Sequence, residues 1–174
     1  MAERKLTRAR RAAAAMVQDI IDSTAHFYYP WIPPDAYAPL PREHDLLEVE
    51  LEQGTFWAGF ENHLPFGFVG LMAREGAGKL VGPYLYRDYL GCGYGKVLLD
   101  QVLADARELQ LNPIYVLVHR EAAWALSFYR RWGFEVIAED PEFIARWHDG
   151  LLAGEDIPHD HVLLASLTDN IFSE

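Results

Sequence analysis

Cysteine, long apolar runs and an N-terminal apolar segment are scarce or missing in this sequence. Its one cysteine, Cys92, excludes a disulfide within the chain and is typical of a reducing compartment. No apolar run approaches the roughly 20 residues that a membrane-spanning helix needs. The opening Met-Ala-Glu-Arg-Lys lacks the apolar stretch of a secretion signal. We therefore expect a cytoplasmic protein without a membrane partner.

Positive charge is also scarce. The chain has 26 acidic residues against 15 Lys and Arg, for a formal net charge of −11. A nucleic-acid partner demands a basic face, so we expect none. Two interpretations of the acidic excess stay open: a solvated surface that keeps the protein soluble, or a field that steers a cationic, amine-bearing substrate.

Length and hydrophobic spacing predict one α/β domain over residues 1–174, with a sizeable core and 51% apolar residues. Apolar residues on both faces of the second and third predicted strands indicate a sheet covered by helices on both sides. In the last predicted helix, Trp124, Phe128 and Trp132 form a stripe that indicates core. The predicted strands are 5–9, 55–61, 66–74, 80–86, 114–119, 134–138 and 161–167, and the predicted helices are 11–25, 43–53, 96–109 and 122–131.

Glycines at every second position mark the most informative stretch, residues 89–99, which read Y-L-G-C-G-Y-G-K-V-L-L. Gly91, Gly93 and Gly95 permit backbone angles closed to other residues and leave N–H groups directed inward. The helix that follows adds unpaired N–H groups and the positive end of its dipole. Lys96 adds a positive charge in the first turn. The stretch therefore predicts a phosphate or pyrophosphate site.

The glycine spacing alone leaves a second interpretation open. It lacks the last glycine of G-x-G-x-x-G, and Lys96 is not followed by the Ser or Thr of a P-loop. The glycines would then form only a tight connection between strand and helix.

Residues 80–138 resemble the core of the GCN5-related N-acetyltransferases. That family has a pyrophosphate loop of the form Arg/Gln-x-x-Gly-x-Gly/Ala and a later helix with A-x-x-x-Y-x-x-x-G-F. Ala125, Tyr129, Gly133 and Phe134 match the second pattern in full. The resemblance implies a mixed, mostly antiparallel sheet flanked by helices, with a splayed strand pair at a slot for acetyl-CoA. It also makes a homodimer a reasonable expectation.

The resemblance also implies a role for each matching residue. The backbone of Leu85 would hold the acetyl carbonyl, and the helix start at Ala122 would contribute to the donor site. Tyr129 would protonate the departing thiolate as general acid, although a boundary tyrosine with a wet hydroxyl is the structural alternative. The residues implied for the pyrophosphate loop are Leu90, Gly91, Cys92, Gly93, Tyr94, Gly95 and Lys96.

Two departures from the family pattern bear on this interpretation. Leu90 stands where the family usually has Arg or Gln, and Ala122 stands where it often has Asn. Backbone donors remain in both places, but the cofactor would be held less strongly.

The general base is not fixed by any motif. His119, at the end of a predicted strand, is the best-placed candidate because histidine titrates near neutral pH. A satisfied polar residue at a strand end is the alternative, and Glu61, Asp88 and Glu121 are further candidates.

Two segments have open interpretations. Residues 27–41 combine prolines with aromatic residues, which favours either core filling or a lid, and the resemblance favours an acceptor site with Tyr28, Tyr29, Trp31 and Tyr37 on the substrate side. Residues 139–160 are predicted to be a long hairpin connection that serves as a lid or a dimer contact. Its His and Asp residues lack a specific metal-ligand spacing, so we expect no metal.

These observations predict an enzyme that moves an acetyl group from acetyl-CoA to a primary amine by direct attack. Cys92 lies in the phosphate loop and not where the thioester is expected, which disfavours an acyl-enzyme. The alternative is an acyl-CoA-binding or regulatory module of the same fold with weak or no turnover, and transfer of a longer acyl group is a further possibility.

Overall fold

The computed structural model describes residues 2–28 and 44–166. In chain order, the strands are β1 (Arg4–Arg8), β2 (Thr55–Glu61), β3 (Leu64–Arg74), β4 (Ala77–Leu85), β5 (Ile114–His119), β6 (Phe134–Ala138) and β7 (His161–Ser166). The helices are α1 (Ala14–Tyr28), α2 (His44–Gln53), α3 (Tyr94–Glu108), α4 (Ala123–Arg130) and α5 (Pro141–Gly150). Short 3₁₀ turns occupy Arg11–Ala13 and Arg87–Tyr89.

The strands form one seven-stranded sheet in the order β1-β2-β3-β4-β5-β7-β6. The pairs β1–β2, β2–β3, β5–β7 and β6–β7 are antiparallel, whereas β4 and β5 are parallel. The parallel ladder joins Gly78 to Ile114 and Lys79 to Tyr115. The predicted mixed, mostly antiparallel fold is confirmed.

The chain divides into two compact units. The first comprises the described residues of Met1–Met72 together with Leu80–Leu109. Strands β2 and β3 join through Asn62 and His63, whose positive φ values of 49° and 69° suit a two-residue hairpin loop. The core of this unit consists of fully buried apolar side chains from the sheet and from helices α1, α2 and α3, among them Val17, Ile20, Leu47, Phe56, Phe68 and Leu98.

The second unit comprises Ala73–Lys79 and the described residues of Gln110–Glu174. Its core gathers around Tyr115 of β5, with Ile144 of α5 and Leu163 of β7 packed against it. Trp147 contacts the Tyr115 ring edge-on at 5.5 Å between ring centroids. The unit thus has its own apolar cluster.

The hydroxyl oxygen of Tyr115 is buried and has no hydrogen-bond partner among the described residues. A buried, unsatisfied hydroxyl costs about 1–3 kcal/mol. We therefore expect Tyr115→Phe to raise the free energy of unfolding by about 1 kcal/mol in urea denaturation. An unchanged or lowered midpoint would show that the hydroxyl has a partner that stabilises the fold.

The predicted connection over residues 139–160 is wrong in its first half, because α5 begins there. Asp140 is the N-cap, and its Oδ1 accepts a hydrogen bond from the Glu142 N–H at 2.9 Å. Pro141 occupies the first helical turn, where its missing N–H costs nothing. The regular helix gives way to non-helical angles at Trp147, His148 and Asp149.

The predicted core stripe of the last helix is also wrong. In α4, Trp124 is 42% exposed and Phe128 is only half-buried, and Trp132, which lies beyond the end of α4, is half-buried as well. The buried side chains are instead Ala125 and Tyr129, four residues apart on one face. The packed face of α4 therefore carries Tyr129, and the three residues of the predicted stripe lie outside it.

No helix in the described ranges combines the length and apolar character needed to cross a membrane.

Candidate functional site

The eight residues 86–93 link strand β4 to helix α3 in the first unit. After β4, the Tyr89 N–H donates to the Tyr86 carbonyl at 3.0 Å and the Leu90 N–H to the Arg87 carbonyl at 3.1 Å. Residues 90–93 then turn into α3, with Gly93 as its N-cap. Gly91 and Gly93 have φ values of +74° and +85°, a left-handed region in which side chains are strained. The local backbone therefore requires glycine at both positions.

The loop presents backbone donors to solvent. Gly91, Cys92 and Gly93 are exposed, and their N–H groups donate to no acceptor in the described part of the chain. The first N–H groups of α3 are unpaired within the helix by its geometry. A Cβ added at Gly91 or Gly93 would meet no atom within 4 Å, so the space beside the donors is open. These residues fit a phosphate or pyrophosphate group.

The other predicted loop residues have different surroundings. Gly95 is buried inside the first turn of α3. The Lys96 ammonium forms an ion pair with Asp100 at 3.0 Å along the same helix. Leu85 ends β4, and a Cβ on Gly67 of β3 would lie 2.6 Å from its side chain and 2.3 Å from the Tyr84 carbonyl oxygen. Gly67 therefore allows β3 to approach the end of β4 closely.

Tyr129 lies on the buried face of α4 in the second unit and is 6% exposed. Its ring contacts Phe134 at 5.8 Å between centroids and the neighbouring Phe128 at 5.4 Å. Gly133, with φ of +86°, turns the chain from the helix into β6 and so delivers Phe134 to that contact. The A-x-x-x-Y-x-x-x-G-F pattern thus has a structural basis, because it fixes the orientation of the tyrosine ring.

Ala122 is the N-cap residue of α4. No side-chain hydrogen bond caps the helix there, since alanine has no acceptor, and its carbonyl accepts the N–H groups of Ala125 and Leu126 at 3.0 Å.

His119 uses both of its ring nitrogens. Nδ1 accepts a hydrogen bond from the Glu121 N–H at 3.2 Å, and Nε2 lies 3.2 Å from Oδ2 of Asp160. The acceptor role of Nδ1 places the ring proton on Nε2, which donates to the carboxylate. This geometry favours the satisfied polar residue over a base, since neither nitrogen offers a free lone pair.

Asp160 bridges two imidazoles. Its Oδ1 lies 3.0 Å from Nδ1 of His161, while Oδ2 contacts His119. Burial alone would raise the pKa of Asp160, but the hydrogen bond and charge of His161, with the charge of His119, outweigh burial and lower it. Burial lowers the pKa of His161 although Asp160 opposes the shift, and His119 and His159 lower it further.

The His161 shift predicts an acid-labile fold. The unfolded imidazole takes up its proton near its usual pKa of 6.5, and the folded one only at lower pH. Stability contributed by neutral His161 is therefore complete above pH 6.5 and falls as the pH drops below it, by at most about 1.4 kcal/mol per pH unit. Urea unfolding between pH 7.5 and 5.0 should show a flatter profile for His161→Gln. Equal slopes for wild type and variant would contradict this assignment.

Several predicted residues lie outside the described part of the chain. Tyr29, Trp31 and Tyr37 of the predicted acceptor site are among them, as is Leu167 of the last predicted strand. The backbone of Tyr28 ends α1. Of the predicted residues that are described, Leu85 and Leu90–Lys96 belong to the first unit, and His119, Ala122 and Tyr129 to the second.

Among the described residues, no group of three or more His, Cys, Asp and Glu is arranged to hold a metal ion.

Comparisons of the sequence with known proteins identify relatives. A model of the acetyltransferase (GNAT) family matches residues 17–134. Peptidyl-lysine N-acetyltransferase YjaB of Escherichia coli (strain K12) is 31% identical over 93 residues, which are 53% of this chain and 57% of that protein. The uncharacterized N-acetyltransferase YvbK of Bacillus subtilis (strain 168) is 29% identical over 108 residues, which are 60% of this chain and 68% of the relative. The chain thus aligns with less than two thirds of the E. coli protein.

Solved structures share the fold. The PaiA N-acetyltransferase of Thermoplasma acidophilum, determined in complex with coenzyme A, has a TM-score of 0.74 at 16% identity, covering 94% of this chain and 98% of that one. The ribosomal-protein-S18-alanine N-acetyltransferase of E. coli has a TM-score of 0.67 at 15% identity, with 94% and 93% covered.

Proposed function

Because the chain belongs to the acetyltransferase (GNAT) family, as its match over residues 17–134 and the resemblance of residues 80–138 agree, we propose that it transfers an acetyl group from acetyl-CoA to a primary amine. The observation that carries the proposal is the row of exposed, unpaired N–H groups at Gly91, Cys92 and Gly93, directly before helix α3. The coenzyme A bound to the T. acidophilum relative supports the choice of donor.

The donor supplies an activated thioester, and the residues of this chain bind and orient it. The loop N–H groups and the α3 dipole would hold the pyrophosphate without a basic side chain from Leu90. Holding both reactants in place supplies much of the rate acceleration in a direct attack. The buried Tyr129 hydroxyl would give a proton to the departing sulfur.

Of the two imidazoles on Asp160, His161 is the better candidate to accept the proton of the amine. Its Nδ1 faces the carboxylate, which leaves Nε2 as the acceptor, and Nε2 has no hydrogen-bond partner in the described ranges. Both nitrogens of His119 are engaged.

The acceptor is proposed to be a cationic amine. The net charge of −11 favours attraction of positively charged substrates. The E. coli relative is a peptidyl-lysine N-acetyltransferase, so a lysine side chain in a peptide is the first acceptor class to screen. A homodimer remains part of the proposal.

A second candidate function is binding of acyl-CoA without turnover. It is favoured by Leu90 and Ala122, which stand where the family usually has polar residues. Neither Leu90 nor Ala122 offers a polar side chain to the donor. The affinity for acyl-CoA would then depend on the backbone N–H groups of the loop.

Calorimetric titration with acetyl-CoA, with CoA and ATP as comparisons, tests the donor. We expect micromolar binding of acetyl-CoA and CoA and much weaker binding of ATP. Thiol release with lysine peptides and polyamines then separates the two functions, because only an enzyme releases CoA in proportion to amine. Absence of binding at millimolar acetyl-CoA would overturn both.

A further inference from the structure

Tyr94, the first residue of α3, connects the phosphate loop to the sheet of the first unit. Its hydroxyl donates to Oε2 of Glu61 at 2.7 Å, and Glu61 ends strand β2. The Arg4 guanidinium lies 4.1 Å from the centre of the Tyr94 ring, and its Nε lies 3.5 Å from Oε1 of the same carboxylate. Tyr94 is 9% exposed and the Glu61 side chain 16%, so their hydrogen bond is partly shielded from water, whereas the Arg4 side chain is 43% exposed.

Tyr89 and Tyr94 also join the two ends of the loop. Tyr89 precedes residues 90–93 and Tyr94 follows them, and their rings meet edge-on with centroids 4.9 Å apart. Phe66 of β3 packs beneath both rings, at 4.8 Å from Tyr94 and 5.9 Å from Tyr89. The loop is therefore closed at its base by aromatic contacts and fastened to β2 by a hydrogen bond.

This arrangement matters because the loop depends on backbone geometry. Leu90 offers no charge, and the Lys96 ammonium is paired with Asp100. Backbone N–H groups hold an anion only when they converge on it, and a loop that must order on binding loses affinity. The side chains that fix the loop therefore control donor binding without touching the donor.

We propose that Tyr94 positions the loop that binds the acyl donor. The hydrogen bond from Tyr94 to Glu61 and the contact of its ring with Tyr89 hold residues 90–93 in their anion-binding shape. The inference rests on the proposed use of acetyl-CoA. The hydrogen bond to Glu61, together with burial, raises the pKa of Tyr94, so the hydroxyl remains a donor throughout the neutral range. Arg4 and Glu61 carry opposite charges, so this cluster acts by position more than by net charge.

The chain offers a matched control at the other end of the same helix. Trp57 Nε1 donates to Oδ2 of Asp105 at 2.7 Å, which also links β2 to α3. Tyr94→Phe removes the first of these two bonds of equal length, and Asp105→Ala removes the second, together with the hydrogen bond that Gln101 Nε2 donates to Oδ1 of Asp105 at 3.3 Å. Only the first bond lies at the loop.

Calorimetry with acetyl-CoA and with 3′-phosphoadenosine 5′-diphosphate, which carries the pyrophosphate but no pantetheine, tests the inference. We expect Tyr94→Phe to raise Kd about tenfold for both ligands and Asp105→Ala to change it less than twofold. Kcat at saturating acetyl-CoA, measured with an acceptor found in the amine screen, should stay within twofold for Tyr94→Phe. Equal Kd values for wild type and Tyr94→Phe would overturn the positioning role.

Two further measurements keep the outcome interpretable. Glu61→Ala should weaken binding at least as much as Tyr94→Phe, because it removes the same hydrogen bond and also the Arg4 contact. The double variant should bind no more weakly than Glu61→Ala alone. Additive losses of acetyl-CoA affinity in the double variant would overturn the inference. If Tyr94→Phe fails to fold, Glu61→Ala replaces it, provided that its Tm lies within a few degrees of wild type. Failure of wild type to bind acetyl-CoA would instead refute the proposed function.

Discussion

Tyr129→Phe is expected to lower kcat about a hundredfold and to leave Kd for acetyl-CoA unchanged. General acid catalysis typically contributes 10²- to 10⁴-fold to a rate. The phenylalanine keeps the ring between Phe128 and Phe134 and loses only the hydroxyl. Steady-state thiol release gives kcat, and calorimetry gives Kd for the same preparation.

Tyr115→Phe is the matched control for this experiment. It removes a buried tyrosine hydroxyl from the same unit, at a position that faces the Ile144 and Leu163 cluster. Its kcat should equal that of wild type. Retention of wild-type turnover by Tyr129→Phe would remove the general-acid role and leave Tyr129 as a packing residue.

Gly93→Val should abolish measurable acetyl-CoA binding, raising Kd more than a hundredfold. Gly93 has φ of +85° at the N-cap of α3, and a β-branched residue is strained there. The chain relieves the strain by rotating the loop, which misaligns the N–H groups of residues 91–93. The direct cost to stability is about 1–3 kcal/mol, and titration with acetyl-CoA measures the loss of binding.

Gly76→Val separates strain from binding. Gly76 has nearly the same φ, +83°, and like Gly93 has no atom within 4 Å of an added Cβ. It lies in the turn between β3 and β4, outside the loop. Both variants should lose similar stability in urea, whereas only Gly93→Val loses acetyl-CoA. Comparable weakening by both would mean that global destabilisation, and not loop geometry, governs binding.

Elements whose signals are local were predictable from the sequence. Strands β2, β5 and β6 have the predicted bounds, because each is an apolar or β-branched run that ends where the pattern breaks. Helix α3 starts two residues earlier than predicted, since Tyr94 and Gly95 continue the helix directly from the Gly93 N-cap.

Helix α5 was missed although its start is also local. Asp140, Pro141 and Glu142 are an N-cap, a first-turn proline and a first-turn acid, the usual signals of a helix start. The histidines and aspartates that follow are typical of a loop, and they coincide with the non-helical angles at His148 and Asp149. The cap and the first-turn residues therefore determine where this helix begins, whatever the composition of the residues that follow.

Packing partners were not predictable. The buried face of α4 is set by Phe134, which follows the helix and contacts Tyr129, and not by the sizes of the aromatic side chains along it. Glu61 and Tyr94 are 33 positions apart, and His119 and Asp160 are 41 positions apart. Only the three-dimensional register of strands and loops brings such pairs together. The glycine loop could therefore be predicted from the sequence, but the hydrogen bonds that hold it in place could not.

Cys92 gives the phosphate loop a built-in chemical reporter. It is the one cysteine of the chain and is exposed between the two left-handed glycines. A maleimide dye would therefore attach at a single place, and a bound pyrophosphate would shield that thiol from alkylation. The labelling rate as a function of acetyl-CoA concentration thus measures donor occupancy without any knowledge of the acceptor.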